Sequence, residues 1–154
     1  MDADTELTED EIREVYARHG LTAYNSQLFE RGLGMFLFHV IQMQQLSWSK
    51  EELNSLFSDI SKKTLGYLLN ELKKKTKLEP DLETKLKEAV DKRNYLTHHF
   101  FYENAYKFFS KKGQTEMIEE LNSLRMQFEE AETIALCLSQ SIRNLIGVDE
   151  KKIR

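Results

Sequence analysis

No stretch of this chain alternates apolar and polar residues with the period of two that a half-buried strand requires. That absence narrows the fold more than any other feature. What the sequence carries instead is helix punctuation. Thr8 and Glu11 form a capping box, in which each residue can satisfy the other's free backbone donor, with Leu7 and Ile12 placed as the accompanying hydrophobic staple. Ser49 and Glu52 repeat the pattern between Trp48 and Leu53, which makes Trp48 a packing anchor rather than a platform for stacking bases. Pro80, the one proline, falls at a helix start, where its missing N–H costs nothing. Gly20, Gly113 and Gly147 read as helix stops. These signals predict helices over 8–19, 22–46, 50–60, 64–75, 81–109 (with a break near 98–103) and 115–146. The expected class is all-α, a bundle of about five to six helices.

The second of these helices is apolar almost all round in its later half, from Leu33 through Met35, Phe36, Leu37, Phe38 and Val40 to Ile41, as a central helix must be. Gly32 and Gly34 weaken it unless a neighbouring helix comes close. The last helix sets Leu121, Leu124, Phe128, Ala131, Ala135, Leu138 and Ile142 along one stripe. No repeat, low-complexity segment or flexible linker divides the 154 residues, so one domain spanning 1–154 is expected. A 40% hydrophobic, 31% charged composition suits a globular chain and argues against disorder. The lone Cys137 has no disulfide partner and no zinc-ligand neighbours, so a reducing, cytoplasmic setting is expected. The acidic start, Met1-Asp2-Ala3-Asp4, is unlike a signal or transit peptide. The run from Leu33 to Ile41 is less than half the roughly 20 residues a membrane span needs.

A net charge of −4 is a poor start for nucleic-acid binding, but the charge is unevenly spread. Residues 1–61 carry a net −7, residues 62–112 a net +6, and residues 113–154 a net −3. The basic middle holds Lys73, Lys74, Lys75, Lys77, Lys85, Lys87, Lys92 and Arg93. Such a zone can attract phosphate despite an acidic total, and Lys73, Lys74, Lys75 and Lys92 are the candidate nucleic-acid contacts. The plainer reading of the Lys73–Lys77 run is a solvated face at a helix end.

Within that zone lies Lys92-Arg93-Asn94-Tyr95-Leu96-Thr97-His98-His99-Phe100-Phe101. Arg93 is permanently cationic, Asn94 is a polar donor and acceptor, and histidine trades protons near neutral pH. Cutting a phosphodiester without a metal calls for those three. Arg93 follows Ala89 by four and Val90 by three, so it continues the apolar face marked by Leu82, Leu86, Ala89 and Val90. There it needs an anion, a carbonyl fork or a cleft, because an unpaired buried charge is prohibitive. Asn94 and His98, four apart, share a face, so the amide can orient the imidazole. His99 points roughly 100° away. His98 is the preferred chemical histidine and His99 the structural one.

At these residues the chain resembles the HEPN superfamily of small α-helical domains, found in prokaryotes and eukaryotes. Many of its members are metal-independent ribonucleases with an arginine, four to six intervening residues and a histidine, the arginine typically followed by a polar residue. Arg93-Asn94-Tyr95-Leu96-Thr97-His98 fits that pattern. The apolar helix before it and the long helix after it suit the family's bundle. The specific likeness is about six residues long, and its spacing alone discriminates little. Arg13 and His19 also satisfy it, whereas Arg143-Asn144 is followed by Val148 where the histidine belongs. One branch of the family, the toxin beside a nucleotidyltransferase antitoxin, carries a tyrosine two residues after the histidine, where nucleotides are attached. This chain has Phe100 there, and Tyr102 is no safe substitute.

The resemblance implies RNA cleavage by internal transesterification, leaving a 2′,3′-cyclic phosphate and a 5′-hydroxyl. His98 would be the general acid or base, Arg93 would stabilise the phosphorane, and Asn94 would orient His98 or the phosphate. It implies a dimer that joins two motifs, no cofactor, no metal, and a toxin–antitoxin or antiphage setting with an antitoxin or nucleotidyltransferase-like partner. The alternatives are a non-catalytic module of the same shape that binds a nucleotide, RNA or protein, and an unrelated helical dimer whose motif is coincidence. The aromatic cluster Phe100, Phe101, Tyr102, Tyr106, Phe108 and Phe109 favours a dimer interface around Arg93–Phe101. Around the motif, Glu30 is a candidate supporting partner, with Arg31 behind it, and Glu103 reads as an ordinary ion-pair partner of Arg93 or a lysine. His39 reads as a satisfied core histidine, His19 as a residue at its own helix's C-terminus meeting the dipole, and Glu129, Glu130 and Glu132 as a solvated face.

Overall fold

The computed structural model describes the backbone of residues 8–153 and the side chains of 8–147. The readings that rest on Leu7, on residues 1–4 and on the Val148 side chain lie outside the described residues. The described chain is all-α, compatible with a helical bundle. Its elements are α1 (Glu9–Gln44), α2 (Lys50–Ser61), α3 (Leu65–Lys75), α4 (Pro80–His98), the short α5 (Phe100–Glu103), a 3-10 turn (Lys107–Phe109) and α6 (Lys111–Ile153). None of the described helices is long and apolar enough to cross a membrane.

Local signals hold where they were read. Thr8 N donates to Glu11 Oε2 at 3.1 Å and Glu11 N donates back to Thr8 Oγ1 at 3.2 Å, so the capping box is closed in both directions. Ser49 and Thr64 cap α2 and α3 by accepting from Glu52 N and Tyr67 N. Trp48 and Leu53 are both half-buried. Pro80 opens α4.

The glycine stops do not hold. Helices expected at 8–19 and 22–46 are one element, because α1 runs through Gly20 without interruption. Gly113 lies inside α6, which begins at Lys111 rather than 115, and Gly147 lies inside it near its end. A glycine ends a helix where the backbone turns left-handed, and none of the described glycines has positive φ. The start of α6 is set instead by Ser110, whose Oγ accepts from Gly113 N at 3.0 Å while its carbonyl accepts from Gln114 N. The expected break within 81–109 is present, since α4 ends at His98 and α5 begins at Phe100.

The described chain groups into two compact units, each assembled from segments far apart in sequence. The first takes the chain through Gln27 together with Glu88–Glu129. Val15, Leu96, Phe100, Met117, Leu121 and Phe128 form its core. Thr22 Oγ1 donates to Arg18 O and approaches Leu121 O at 3.2 Å, tying α1 to α6 within this unit. The second takes Leu28–Lys87 with the chain from Glu130 onward. Its core includes Phe29, Leu33, Phe36, Leu37, Leu72 and Leu86. Here the sequence reading of Gly32 and Gly34 is met. A β-carbon on Gly32 would sit 3.6 Å from Ala135 Cβ of α6, and one on Gly34 would sit 3.3 Å from Ile60 Cγ2 of α2. Of the α6 stripe, Leu121 to Ala135 are buried, and Leu138 and Ile142 are half-buried.

Gly20 is different: a β-carbon there meets nothing within 4 Å. It lies in mid-helix and exposed, so Gly20→Ala should raise stability by about 1 kcal/mol through helix propensity. A urea titration of the two proteins reads this as a higher midpoint at unchanged slope.

His39 is buried, as expected of a core histidine, and bonds Gln42 Oε1 through Nδ1 at 3.1 Å. Burial pushes its pKa below the usual value, the Gln42 bond opposes that, and the Arg143 charge adds to it. The unfolded chain therefore binds a proton at His39 before the folded chain does. This contribution to stability is intact above the unfolded pKa of about 6.5, begins to be lost as pH falls below it, and goes on being lost down through the lower folded pKa. Between about pH 7.5 and 5.5, His39→Gln should lose less stability than the parent protein, measured by urea midpoints across that range.

Candidate functional site

Motif residues lie where α4 gives way to α5, in the first unit. Leu86, Ala89, Val90 and Leu96 of α4 are buried, and Arg93, on the same face, is half-buried. That is the position the spacing required of it, and its guanidinium is engaged within the protein. Asn94 and His98 are exposed, and neither makes a side-chain hydrogen bond among the described residues. His98 is the last residue of α4. His99 is exposed too, and its ring lies 6.3 Å from that of His98. It occupies the break, with φ −128° and ψ −20°, and caps nothing with its side chain.

Helix geometry separates the motif's two charged members. Five residues apart, Arg93 and His98 leave α4 roughly 140° apart and displaced by about 7.5 Å along the axis. Asn94 and His98 differ by only about 40°, so they form one exposed polar face, while Arg93 belongs to the flank that meets the core. Within one chain the three do not close into a pocket by helix spacing alone.

What fixes this end of α4 was not read from the sequence. A helix leaves its last four carbonyls without intrahelical partners. Tyr95 O is taken by His99 N at 2.9 Å. Leu96 O is met by His19 Nε2 at 3.2 Å, and since a carbonyl only accepts, that nitrogen carries the proton. His19 is thus not at the end of its own helix, as expected, but in the middle of α1, serving the end of α4. Its ring packs against Phe100 at 5.6 Å and Phe101 at 4.6 Å. At the same helix end, Tyr95 Oη donates to Glu120 Oε1 at 2.6 Å and accepts from Asn104 Nδ2 at 3.0 Å. Asn104 is buried and also donates to Phe100 O at 2.8 Å, which pins α5 to α4. Burial first, then the Glu120 bond, push the Tyr95 phenol up to about 12, with Asn104 pulling the other way. Tyr95 therefore stays protonated, a strut rather than a base.

The remaining candidates divide. Glu30 is half-buried and engaged within the protein, and Arg31 is exposed. Glu103 is exposed and makes no ion pair among the described residues, contrary to expectation; its charge instead adds to the raised pKa of Tyr95. Lys92 is exposed, with Nζ 5.8 Å from the centre of the Tyr95 ring. Of the aromatic cluster, Phe100 is buried and Phe101 and Phe108 are half-buried, packing against Tyr16, whereas Tyr102, Tyr106 and Phe109 stay exposed. Lys73, Lys74 and Lys75 belong to the second unit, where they line an open cavity. Among the described residues no group of three or more His, Cys, Asp or Glu side chains could hold a metal ion.

No family model, no curated protein and no solved structure matched the chain. The residues themselves have to carry the functional reading. They present an exposed amide–imidazole pair beside a half-buried arginine, on a helix end braced by His19 and Tyr95. That arrangement can exchange a proton at His98 and place a fixed positive charge nearby. A second copy of the motif would add the proton donor or acceptor that a single histidine lacks.

Proposed function

We propose that this chain is a metal-independent endoribonuclease of HEPN type, acting through Arg93, Asn94 and His98. The observation that carries the reading is the exposed Asn94–His98 face at the braced end of α4, with Arg93 adjoining it on the half-buried flank. An imidazole open to solvent can take the proton of a ribose 2′-hydroxyl as that oxygen attacks the adjacent phosphorus. The 5′-oxygen of the next nucleotide then leaves with a proton, and the products end in a 2′,3′-cyclic phosphate and a 5′-hydroxyl. Arg93 stabilises the charge that builds on the phosphorane.

Two motifs brought together in a symmetric dimer supply both base and acid, one His98 from each chain, and bring an arginine from the partner to a face its own chain's Arg93 does not share. Exposed Tyr102, Tyr106 and Phe109 are the surface on which such a dimer would form. Sedimentation at tens of micromolar should give a dimer; a monomer there would remove the acid–base pair from the mechanism. Nucleotide attachment two residues after the histidine is no part of this reading, because buried Phe100 has no hydroxyl. The setting we infer is a cytoplasmic toxin–antitoxin or antiphage system.

The second reading, a non-catalytic module that binds a nucleotide, RNA or protein, is favoured by one observation: Arg93 is half-buried and engaged within the protein, as a structural arginine would be. Incubating purified protein with a mixed RNA pool in excess EDTA separates the two. The ribonuclease reading expects cleavage that EDTA does not slow. An intact pool, or cleavage that needs a divalent ion, leaves the binding module in its place.

A further inference from the structure

Lys73, Lys74, Lys75 and Lys77 line one open cavity of about 560 Å³ in the second unit, and the one carboxylate among its lining residues is Glu83. We propose that this cavity binds ligands that present adjacent phosphate groups. The inference goes beyond the ribonuclease reading, since it stands whether or not the chain cleaves anything.

The first support is that the lysines stand on ordered backbone, Lys73, Lys74 and Lys75 in the last turn of α3 and Lys77 in the connection to α4. Gln44 Nε2 of α1 donates to Lys75 O at 2.8 Å, Thr76 N donates to Leu72 O at 2.9 Å, and Leu78, next after Lys77, is buried. A ligand therefore meets side chains whose backbone is already ordered, which lowers the cost of binding.

Charge is the second support. Lys73 pairs with Glu83 at 3.2 Å, and Lys74 and Lys75 share Glu71 at 3.4 and 3.9 Å. Counting the lining residues and their ion-pair partners, two carboxylates stand against four ammonium groups, a surplus of two positive charges; Glu79 and Asp81, close by in the chain, are not part of the lining. Lys77 is exposed and has no ion pair among the described residues. The Glu71 pairs are long, and all three lysines of these pairs are exposed, so their ammonium heads can turn to an incoming phosphate at little loss. A surplus of two matches a diphosphate or triphosphate chain, or two successive phosphates of a nucleic-acid strand, better than it matches one isolated anion.

Intact protein and the variant K74E/K77E should be compared by calorimetry with inorganic triphosphate and by fluorescence anisotropy with labelled single-stranded RNA. Both positions are exposed, and circular dichroism with a thermal melt confirms an unchanged fold. The expected result is binding at low salt that the variant weakens roughly tenfold or more, with a shallower salt dependence for RNA. Loss confined to RNA assigns the phosphates to a nucleic-acid backbone; loss confined to triphosphate assigns them to a small phosphorylated ligand. His98→Ala should bind triphosphate as the parent does, so a failed nuclease reading leaves this result untouched. No binding of either probe, equal affinities in parent and variant, or sulfate bound as tightly as triphosphate would overturn the proposal.

Discussion

His98→Ala should lower RNA cleavage by roughly 10²–10⁴-fold, the loss that follows removal of general acid–base help. His99→Ala should keep most of the activity. The two residues are adjacent, chemically identical and both exposed, so each controls for the other. They differ in direction: His98 ends α4 on the face it shares with Asn94, and His99 sits in the break between α4 and α5. Neither carries a side-chain hydrogen bond that the fold depends on, so both variants should melt within a degree or two of the parent. Arg93→Lys should also cut activity sharply, because a point charge does not replace a planar two-pronged donor. Arg93 is half-buried and engaged, so its variants need the thermal control that the histidines hardly do. Equal losses at His98 and His99 would mean that the helix end matters and the His98 imidazole does not.

Gly113→Ala should destabilise the protein by roughly 3 kcal/mol or more, the upper range for forcing atoms into a filled space. A β-carbon on Gly113 would overlap the carbonyl oxygen of Lys107, with Lys107 C and Cα each 2.6 Å away. The obstacle is backbone, which cannot rotate aside as a side chain would. Close approach of the 3-10 turn to the first turn of α6 is what requires glycine here. The same substitution at Gly20 has the opposite expected sign, since open space surrounds that position. Chemical denaturation of the two variants side by side measures both. A mild effect at Gly113 would mean that the turn can move away from α6.

These two glycines also show how far the sequence could be read. Thr8 with Glu11, Ser49 with Glu52, and Pro80 were legible because a cap is a contact between residues three or four apart. Gly20 and Gly113 looked alike as stops because nothing local distinguishes a glycine that ends a helix from one that lets another segment approach. The partner in that approach, Lys107, only becomes a neighbour once the chain turns back on itself. The site divides in the same way. Periodicity placed Asn94 and His98 on one face and Arg93 on the apolar flank, and the burial pattern agrees. His19 capping Leu96 spans 77 residues and Tyr95 meeting Glu120 spans 25, so neither could be seen in a local pattern. Glu103 was expected in an ion pair because an exposed glutamate near lysines often finds one; its weight here falls on the Tyr95 phenol instead.

Everything proposed for the site follows from one chemical step, RNA cleavage by His98 and Arg93 through internal transesterification without a metal. Mass spectrometry of the ends produced from a defined RNA in EDTA tests it most directly, with parent and His98→Ala protein purified in parallel. The parent should give 2′,3′-cyclic phosphate and 5′-hydroxyl ends, and the variant none above background. Ends bearing a 3′-hydroxyl and a 5′-phosphate, or the same ends at the same rate from His98→Ala, would contradict it.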